Sequence, residues 1–155
     1  MRGINSVTAA LAHTLKAEGV SNPHTGKPFT EAMILGIGGG LGAGYILWEF
    51  KERDSANIVM GFINRWNYTM QYITNACQRL GTDVDEQETG SQKKAQTNLD
   101  TALEQGKPVL TWTDKASIAH YGLPEEHKGH LIHIICVTKK EGDTYTFYDL
   151  AEKPW

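Results

Sequence analysis

Four of the six histidines lie within fourteen residues, in the densest group of side chains able to do chemistry. Imidazole can act as a base near neutral pH, or it can bind zinc together with carboxylates such as Glu125 and Glu126. The three-residue spacing within the group matches neither one face of a helix nor one face of a strand, so no regular element brings the rings to one metal. We therefore expect no metal site and no other cofactor here. The four are His120, His127, His130 and His133.

His130 and Asp149 are one candidate pair for acid–base chemistry, which the family resemblance given below favours; the residues alone favour a structural role. His130 begins the apolar segment "HLIHIICV", and Asp149 ends the segment "TYTFYD". Neighbours on adjacent strands approach within hydrogen-bond range, and a carboxylate there holds an imidazole in the tautomer that a base requires. Three residues along a strand reverse the side chain's direction, so His133 is expected to be a neutral, partly buried side chain. The alternative is that His130 caps a strand and Asp149 is solvated in a turn.

The segment "EAMILGIGGGLGAGYILW", residues 31–48, carries six glycines and no charge after Glu31. It contains the spacing G-x-G-x-x-A of a phosphate-binding turn, but no strand–helix alternation surrounds it, so nucleotide binding is only an alternative. Its length barely suffices for a membrane span, and its glycines disfavour a helix, so no membrane partner is expected. A local turn that permits positive φ and close backbone packing explains the segment best.

Apolar periodicity predicts helices first and strands last. Helices are expected at 5–17, 31–36, 68–81 and 91–106, with strands at "YILWEF" and 57–63. From Lys107 onward the period becomes two in "PVLTWT", "HLIHIICV" and "TYTFYD", with "KKEGD" as a five-residue hairpin connection. This segregation predicts an α+β fold, in which an N-terminal helical layer packs on a C-terminal antiparallel sheet.

Composition narrows the function classes. The chain has 155 residues and a net charge of −3 without a basic stripe, which argues against a nucleic-acid partner. Cys77 and Cys136 lie in apolar contexts and are expected to be buried reduced thiols in a cytoplasmic protein. The length favours a single domain over 1–155, with the first domain of a longer protein as the alternative. Composition does not predict the oligomeric state.

Four blocks in order resemble the family of the butirosin biosynthesis protein H N-terminal domain. They are "NSVTAAL", "TEAMILGIGGGLGAGY", "GKPVLTWTD" and "GHLIHIICV" followed by "YTFYD", and they cover about residues 5–150. The resemblance implies a papain-like, cysteine-peptidase-like fold turned towards acyl transfer in natural-product pathways. It also implies an acyl group, supplied by a small molecule or a carrier thioester, as the binding partner.

The resemblance further implies site residues. The family's opening helix carries a His-Cys pair, and the cysteine position falls on Ser6, the histidine position on Asn5. Ser6, His130 and Asp149 would then be the catalytic residues. The remaining residues expected to contact substrate are Asn5, Glu31, Gly38, Gly39, Gly40 and Asp114.

Serine at position 6 leaves two functions open. A serine can transfer an acyl group with a histidine base, but it needs an aligned base and an oxyanion hole. The other function is a non-catalytic binding or regulatory domain that kept the scaffold and lost the thiolate. The sequence therefore leaves it open whether the protein is an acyltransferase, an amide or thioester hydrolase, or no enzyme.

Overall fold

The computed structural model describes residues 3–40, 44–61, 68–151 and 153–155. Contacts group the chain into two compact units, each described below by itself. Met1–Glu31 and Glu86–Trp155 form the sheet unit, and Ala32–Asp85 forms the hairpin unit. The single-domain assignment stays a prediction.

The sheet unit is built on three antiparallel strands in the order β3-β4-β5. The strands are β3 (Val109–Asp114), β4 (Ile132–Glu141) and β5 (Thr144–Tyr148). The register places Val109 opposite Val137 and Val137 opposite Phe147. The expected C-terminal antiparallel sheet is therefore present, with β4 at its centre.

Both faces of β4 are covered, so its residues 133–137 are all buried. On one face, Ile134 and Cys136 pack against Ala10 of α1 (Ser6–Ala17). On the other face, Ile135 and Val137 pack with Ile118 and with partly buried leucines of the helix α4 (Gln92–Glu104). The helix that precedes the sheet thus packs on it as predicted, and α4 adds a layer on the opposite face.

Capping explains where these helices begin and end. The Asn5 side chain accepts the backbone N–H groups of Val7 and Thr8, which caps α1 as the sequence predicts. Ser91 accepts the N–H of Lys94 at the start of α4. Gly19 and Gly106 follow the two helices with φ of +73° and +75°, a conformation that glycine adopts without strain.

The hairpin between β4 and β5 is tighter than predicted. Lys139, Lys140 and Glu141 belong to β4, so only Gly142 and Asp143 connect the strands, in place of the five residues expected. Gly142 has φ +58°, which suits a two-residue hairpin turn. The prediction assigned Lys139, Lys140 and Glu141 to a loop because they are polar. They are polar because this end of β4 alternates between exposed and half-buried positions.

A long segment joins β3 to β4 through three short 3-10 turns, Lys115–Ser117, Ala119–Tyr121 and Glu125–His127. His130 lies in this segment, is exposed, and donates its backbone N–H to the His127 carbonyl. β4 begins only at Ile132, so the prediction that His130 begins the strand is wrong.

The hairpin unit contains α3 (Tyr68–Arg79) and all of α2 (Glu31–Ile37) except Glu31, which is the last residue of the first segment of the sheet unit. It also holds the antiparallel pair β1 (Gly44–Phe50) and β2 (Ser55–Gly61). Helix α3 and both strands were expected, although residues 62 and 63 of the predicted second strand lie outside the described residues.

Close packing accounts for the glycines that follow α2. A Cβ atom at Gly38 would overlap the Tyr72 ring, whose hydroxyl donates to the Ile34 carbonyl at 2.7 Å. Gly39 has φ +81°, and the Gly40 N–H donates to the Leu35 carbonyl at 2.8 Å. The N–H groups of Gly38, Gly39 and Gly40 all donate to carbonyls of α2. This supports the local-turn interpretation over a phosphate cradle.

Candidate functional site

The buried Asp149 carboxylate is the centre of the candidate site, and only 2% of the residue is exposed. Its Oδ1 accepts a hydrogen bond from His133 Nε2 at 2.7 Å. Its Oδ2 accepts from the Tyr121 hydroxyl at 2.7 Å and lies 3.1 Å from His120 Nε2. A carboxylate with three donors is well suited to hold imidazole rings in fixed orientation.

Burial and hydrogen bonding act in opposite directions on this carboxyl group. Burial alone would raise the pKa of Asp149, because a charged group is disfavoured away from water. Hydrogen bonds from Tyr121, His133 and His120 favour the ionised form and together lower the pKa below its ordinary value. Asp149 is therefore an anion at neutral pH.

The two imidazoles differ in access. The His133 side chain is 6% exposed and is enclosed by Asp149 and the Tyr121 ring, which meets it edge-on. The His120 side chain is 18% exposed and stacks on the Trp155 ring, with centroids 4.0 Å apart and planes at 14°. With Nε2 directed at Asp149, Nδ1 is the basic nitrogen of His120, so His120 is the better candidate base.

A cleft of about 450 Å³ lies beside His120, within the sheet unit. This volume falls in the range of small-molecule sites. The floor is the α4-facing side of the sheet, and Trp155 lies at one side, where its backbone pairs with Phe147 through bonds of 2.9 and 3.2 Å. Lining residues include Leu99, Ile118, His120, Val137, Phe147 and Trp155.

The sequence predicts a pair between His130 and Asp149, but the imidazole partners of Asp149 are His133 and His120. The reason is an irregularity in the hairpin, whose register shifts by one residue between Val137 and Lys139. Beyond the shift, Cys136 lies opposite Tyr148 and Val137 opposite Phe147, so Asp149 shares a face with His133. Without the shift, Asp149 would lie opposite Cys136 on the other face, so alternation in the sequence could not identify the partner. The contribution of His120 and Tyr121 was not predictable either, because they lie in an irregular segment.

Ser6 lies at the start of α1, on the other side of the sheet. Helix α1 packs against the face that carries Ile134 and Cys136, whereas His133 and Asp149 belong to the face that carries Ile135. The ends of the described chain do meet, since the Gly3 N–H donates to the Leu150 carbonyl at 2.6 Å. A catalytic role for Ser6 stays a prediction.

Asn5 and Glu31 are joined by a network at the start of α1. Glu31 accepts hydrogen bonds from the backbone N–H groups of Ile4 and Asn5 and from the Thr8 hydroxyl, the last at 2.7 Å. These bonds anchor the first turn of the helix. Substrate contact by Asn5 and Glu31, and by Gly38, Gly39 and Gly40 in the hairpin unit, stays a prediction.

Asp114 organises the segment that carries His120. Its carboxylate accepts hydrogen bonds from the Gly129 N–H at 2.9 Å, the Ser117 hydroxyl at 3.1 Å and the Ala116 N–H at 3.3 Å. The Gly129 bond is the main reason why the pKa of Asp114 is lowered. The carboxylate ties the two ends of the segment together, and its predicted contact with substrate stays a prediction.

The cysteines are buried, as expected, Cys77 in the last turn of α3 and Cys136 in the middle of β4. Burial raises the pKa of both Cys77 and Cys136, which disfavours the reactive thiolate. Among the described residues, no three histidine, cysteine or acidic side chains are grouped so as to hold a metal ion. No helix within the described ranges is both long and apolar enough to cross a membrane.

Comparison with known families supplies the class of protein. The profile described as "Butirosin biosynthesis protein H, N-terminal" matches residues 5–150. The chain therefore belongs to this family, and the resemblance carried by its four sequence blocks is confirmed. No curated protein and no solved structure matches the chain.

Proposed function

We propose that this domain binds an acyl thioester and transfers its acyl group to a small-molecule acceptor, with His120 as the base. The observation that carries the proposal is that His120, whose imidazole Nε2 lies 3.1 Å from the Asp149 carboxylate, lines a cleft of ligand size. Family membership supports a role in biosynthesis. The packing of an N-terminal helix on a C-terminal antiparallel sheet supports a papain-like architecture, which is part of the proposal.

The proton transfers use groups that the site contains. His120 Nδ1 accepts the proton of the acceptor's hydroxyl or amine, whose heavy atom forms a bond to the thioester carbonyl carbon. The carbon–sulfur bond then breaks, and the leaving thiolate takes the proton from His120. Asp149 stabilises the transient imidazolium through the Nε2 hydrogen bond, while His133 and Tyr121 hold Asp149 in place.

The test is release of free thiol from a short acyl thioester in the presence of an amine acceptor. His120→Ala should lower kcat/KM by about 100-fold or more, the usual contribution of a positioned base. His127→Ala is the matched control, because His127 is an exposed histidine of the same segment. Equal rates for the two variants would contradict the role of His120.

Ser6 offers a covalent route that the same experiment separates. In that route the acyl group is carried on the Ser6 hydroxyl, and mass spectrometry of the protein after reaction detects the adduct. An adduct that is lost in Ser6→Ala, together with the loss of turnover, would replace direct transfer by the covalent mechanism. Full turnover in Ser6→Ala supports direct transfer.

A non-catalytic binding domain is the second candidate function. The specific observation in its favour is at the start of α1, where the family places its nucleophile. The Val7 and Thr8 N–H groups donate to Asn5, and the Ile4 and Asn5 N–H groups donate to Glu31. Those N–H groups are thus engaged and do not form an oxyanion hole. Two results together would establish this function: the domain binds an unreactive thioester analogue, and it releases no thiol from the reactive acyl thioester.

A further inference from the structure

The cleft beside His120 has one apolar end and one polar end. Strand register orders the lining residues of its floor: Val137 lies opposite Phe147 in one row, and Thr111 lies opposite Ile135 in the next. Thr113 comes last and lies opposite the buried His133, which binds Asp149. From Val137 and Phe147 to Thr113 the floor therefore changes from hydrocarbon to hydrogen-bonding groups. Beyond Phe147 the lining ends at Tyr145, whose hydroxyl donates to Asp100.

Side walls reinforce this gradient. Leu99 of α4 and Ile118 line the cleft with hydrocarbon, whereas His120 lies with its ring against Asp149 at the polar end. The side chains of Leu99, Ile118, Val137 and Phe147 carry no polar atom, so a charged or strongly polar group placed among them would lose hydration without compensation.

We infer that the cleft takes a linear apolar acyl chain or a single aryl ring, with the carbonyl head at His120. The inference rests on the proposed function for the nature of the head group, and it adds the class of acyl group that is accepted. Polar acyl groups that carry a charge at their far end are excluded by the apolar row at Val137 and Phe147.

Trp155 is the specificity residue of this site. Its backbone is fixed to Phe147 by two hydrogen bonds, and its indole stacks on the His120 ring while remaining 55% exposed. An acyl chain in the cleft would lie against the indole, so Trp155 supplies contact area and at the same time restrains His120. The ring also reports occupancy, since its fluorescence depends on what replaces water beside it.

The experiment uses unreactive analogues, so that binding is measured apart from transfer. Straight-chain acyl analogues in which a methylene replaces the thioester sulfur are titrated at increasing chain length, by calorimetry and by tryptophan fluorescence. Affinity should rise about fourfold per methylene, as burial of hydrocarbon predicts, and should then level off when the cleft is filled. An analogue of equal length that ends in a carboxylate should bind at least tenfold more weakly.

Two variants locate the site without altering the buried core. Ala119→Phe places a ring at an exposed cleft residue and should abolish binding, and Trp155→Ala should weaken it by tenfold or more. Trp112→Ala is the matched control, because Trp112 is 43% exposed and alternates away from Thr111 and Thr113, which line the cleft. Thermal unfolding of each variant verifies that it is folded.

The outcomes separate the two proposals. Chain-length-dependent binding that Ala119→Phe abolishes, with no thiol release from a reactive thioester, supports the acyl cleft and refutes transfer. Affinity independent of chain length, equal binding of the carboxylate-ended analogue, or binding unaffected by Ala119→Phe would overturn the inference. No binding by any analogue would overturn it as well.

Discussion

Asp149 shows how a single residue can unite groups that are far apart in the chain. It accepts hydrogen bonds from Tyr121 and His133, and His120 lies within hydrogen-bond range. An unpaired buried carboxylate would be costly, but three donors compensate for lost hydration. The cluster therefore stabilises the fold and fixes the orientation of the His120 and His133 rings with the same bonds.

Substituting Asp149 by Asn should lower the free energy of unfolding at pH 7 by about 2 kcal/mol, as expected when hydrogen bonds to a charged group are weakened. The folded-state pKa of Asp149 lies below the unfolded value of about 3.9, so its stabilisation is present above that value and is lost as pH falls through the folded pKa. Urea unfolding at a series of pH values between 7 and 2 measures the difference between wild type and variant. Asp83→Asn, in an exposed segment, is the control. A difference that stays constant down to the lowest pH would contradict the assignment.

At the scale of elements, close contacts dictate which residue types are allowed. In the hairpin unit, the turn after α2 lies under the Tyr72 ring of α3, and the Tyr72 hydroxyl donates to the Ile34 carbonyl. Arg79, also on α3, donates to the Ile37 carbonyl. Two side chains of one helix thus satisfy carbonyls at the end of the other. The Tyr72 ring that makes one of these bonds leaves no room for a side chain at Gly38.

Gly38→Ala should destabilise this packing, because the new methyl group would overlap the Tyr72 ring. Overpacking of this kind costs about 1–3 kcal/mol. Gly90→Ala is the matched control, since a Cβ there meets nothing within 4 Å and its φ is not in the left-handed region. Denaturant unfolding followed by circular dichroism measures both variants. Equal stability of the two would refute the packing explanation for the glycine.

At the scale of the whole chain, residues distant in sequence build the sheet unit together. Its segments Met1–Glu31 and Glu86–Trp155 come from both ends of the chain. The Glu31 carboxylate fixes the start of α1 from more than twenty residues away, through Ile4, Asn5 and Thr8. Helix α1 in turn covers one face of the sheet.

Glu31→Ala should therefore destabilise the protein by about 1.5–3 kcal/mol, the range for hydrogen bonds to a charged group. Glu31→Gln should lose less, since its amide oxygen can still accept from one backbone N–H. Glu18→Ala, an exposed position at the other end of α1, should be close to neutral. Chemical unfolding of the three variants gives the comparison, and a Glu31→Ala variant as stable as Glu18→Ala would show that the network contributes nothing.

Local chemistry accounts for what was predictable. The Asn5 and Ser91 caps, the glycines after α1 and α4, the buried cysteines and the antiparallel C-terminal sheet all follow from residue type and periodicity. Such features depend on neighbours a few residues away, and those neighbours can be read from the sequence.

Partners across the chain were not predictable in the same way. Asp149 is bound by His133, His120 and Tyr121 because hairpin register and an irregular segment bring them together, and no periodic pattern encodes that segment. The separation of Ser6 from Asp149 likewise arises from which face of the sheet each element covers. Residue types therefore predicted that a histidine would bind a carboxylate. The tertiary structure decided which histidines do so, because hydrogen bonds depend on distance in space and not on distance along the chain.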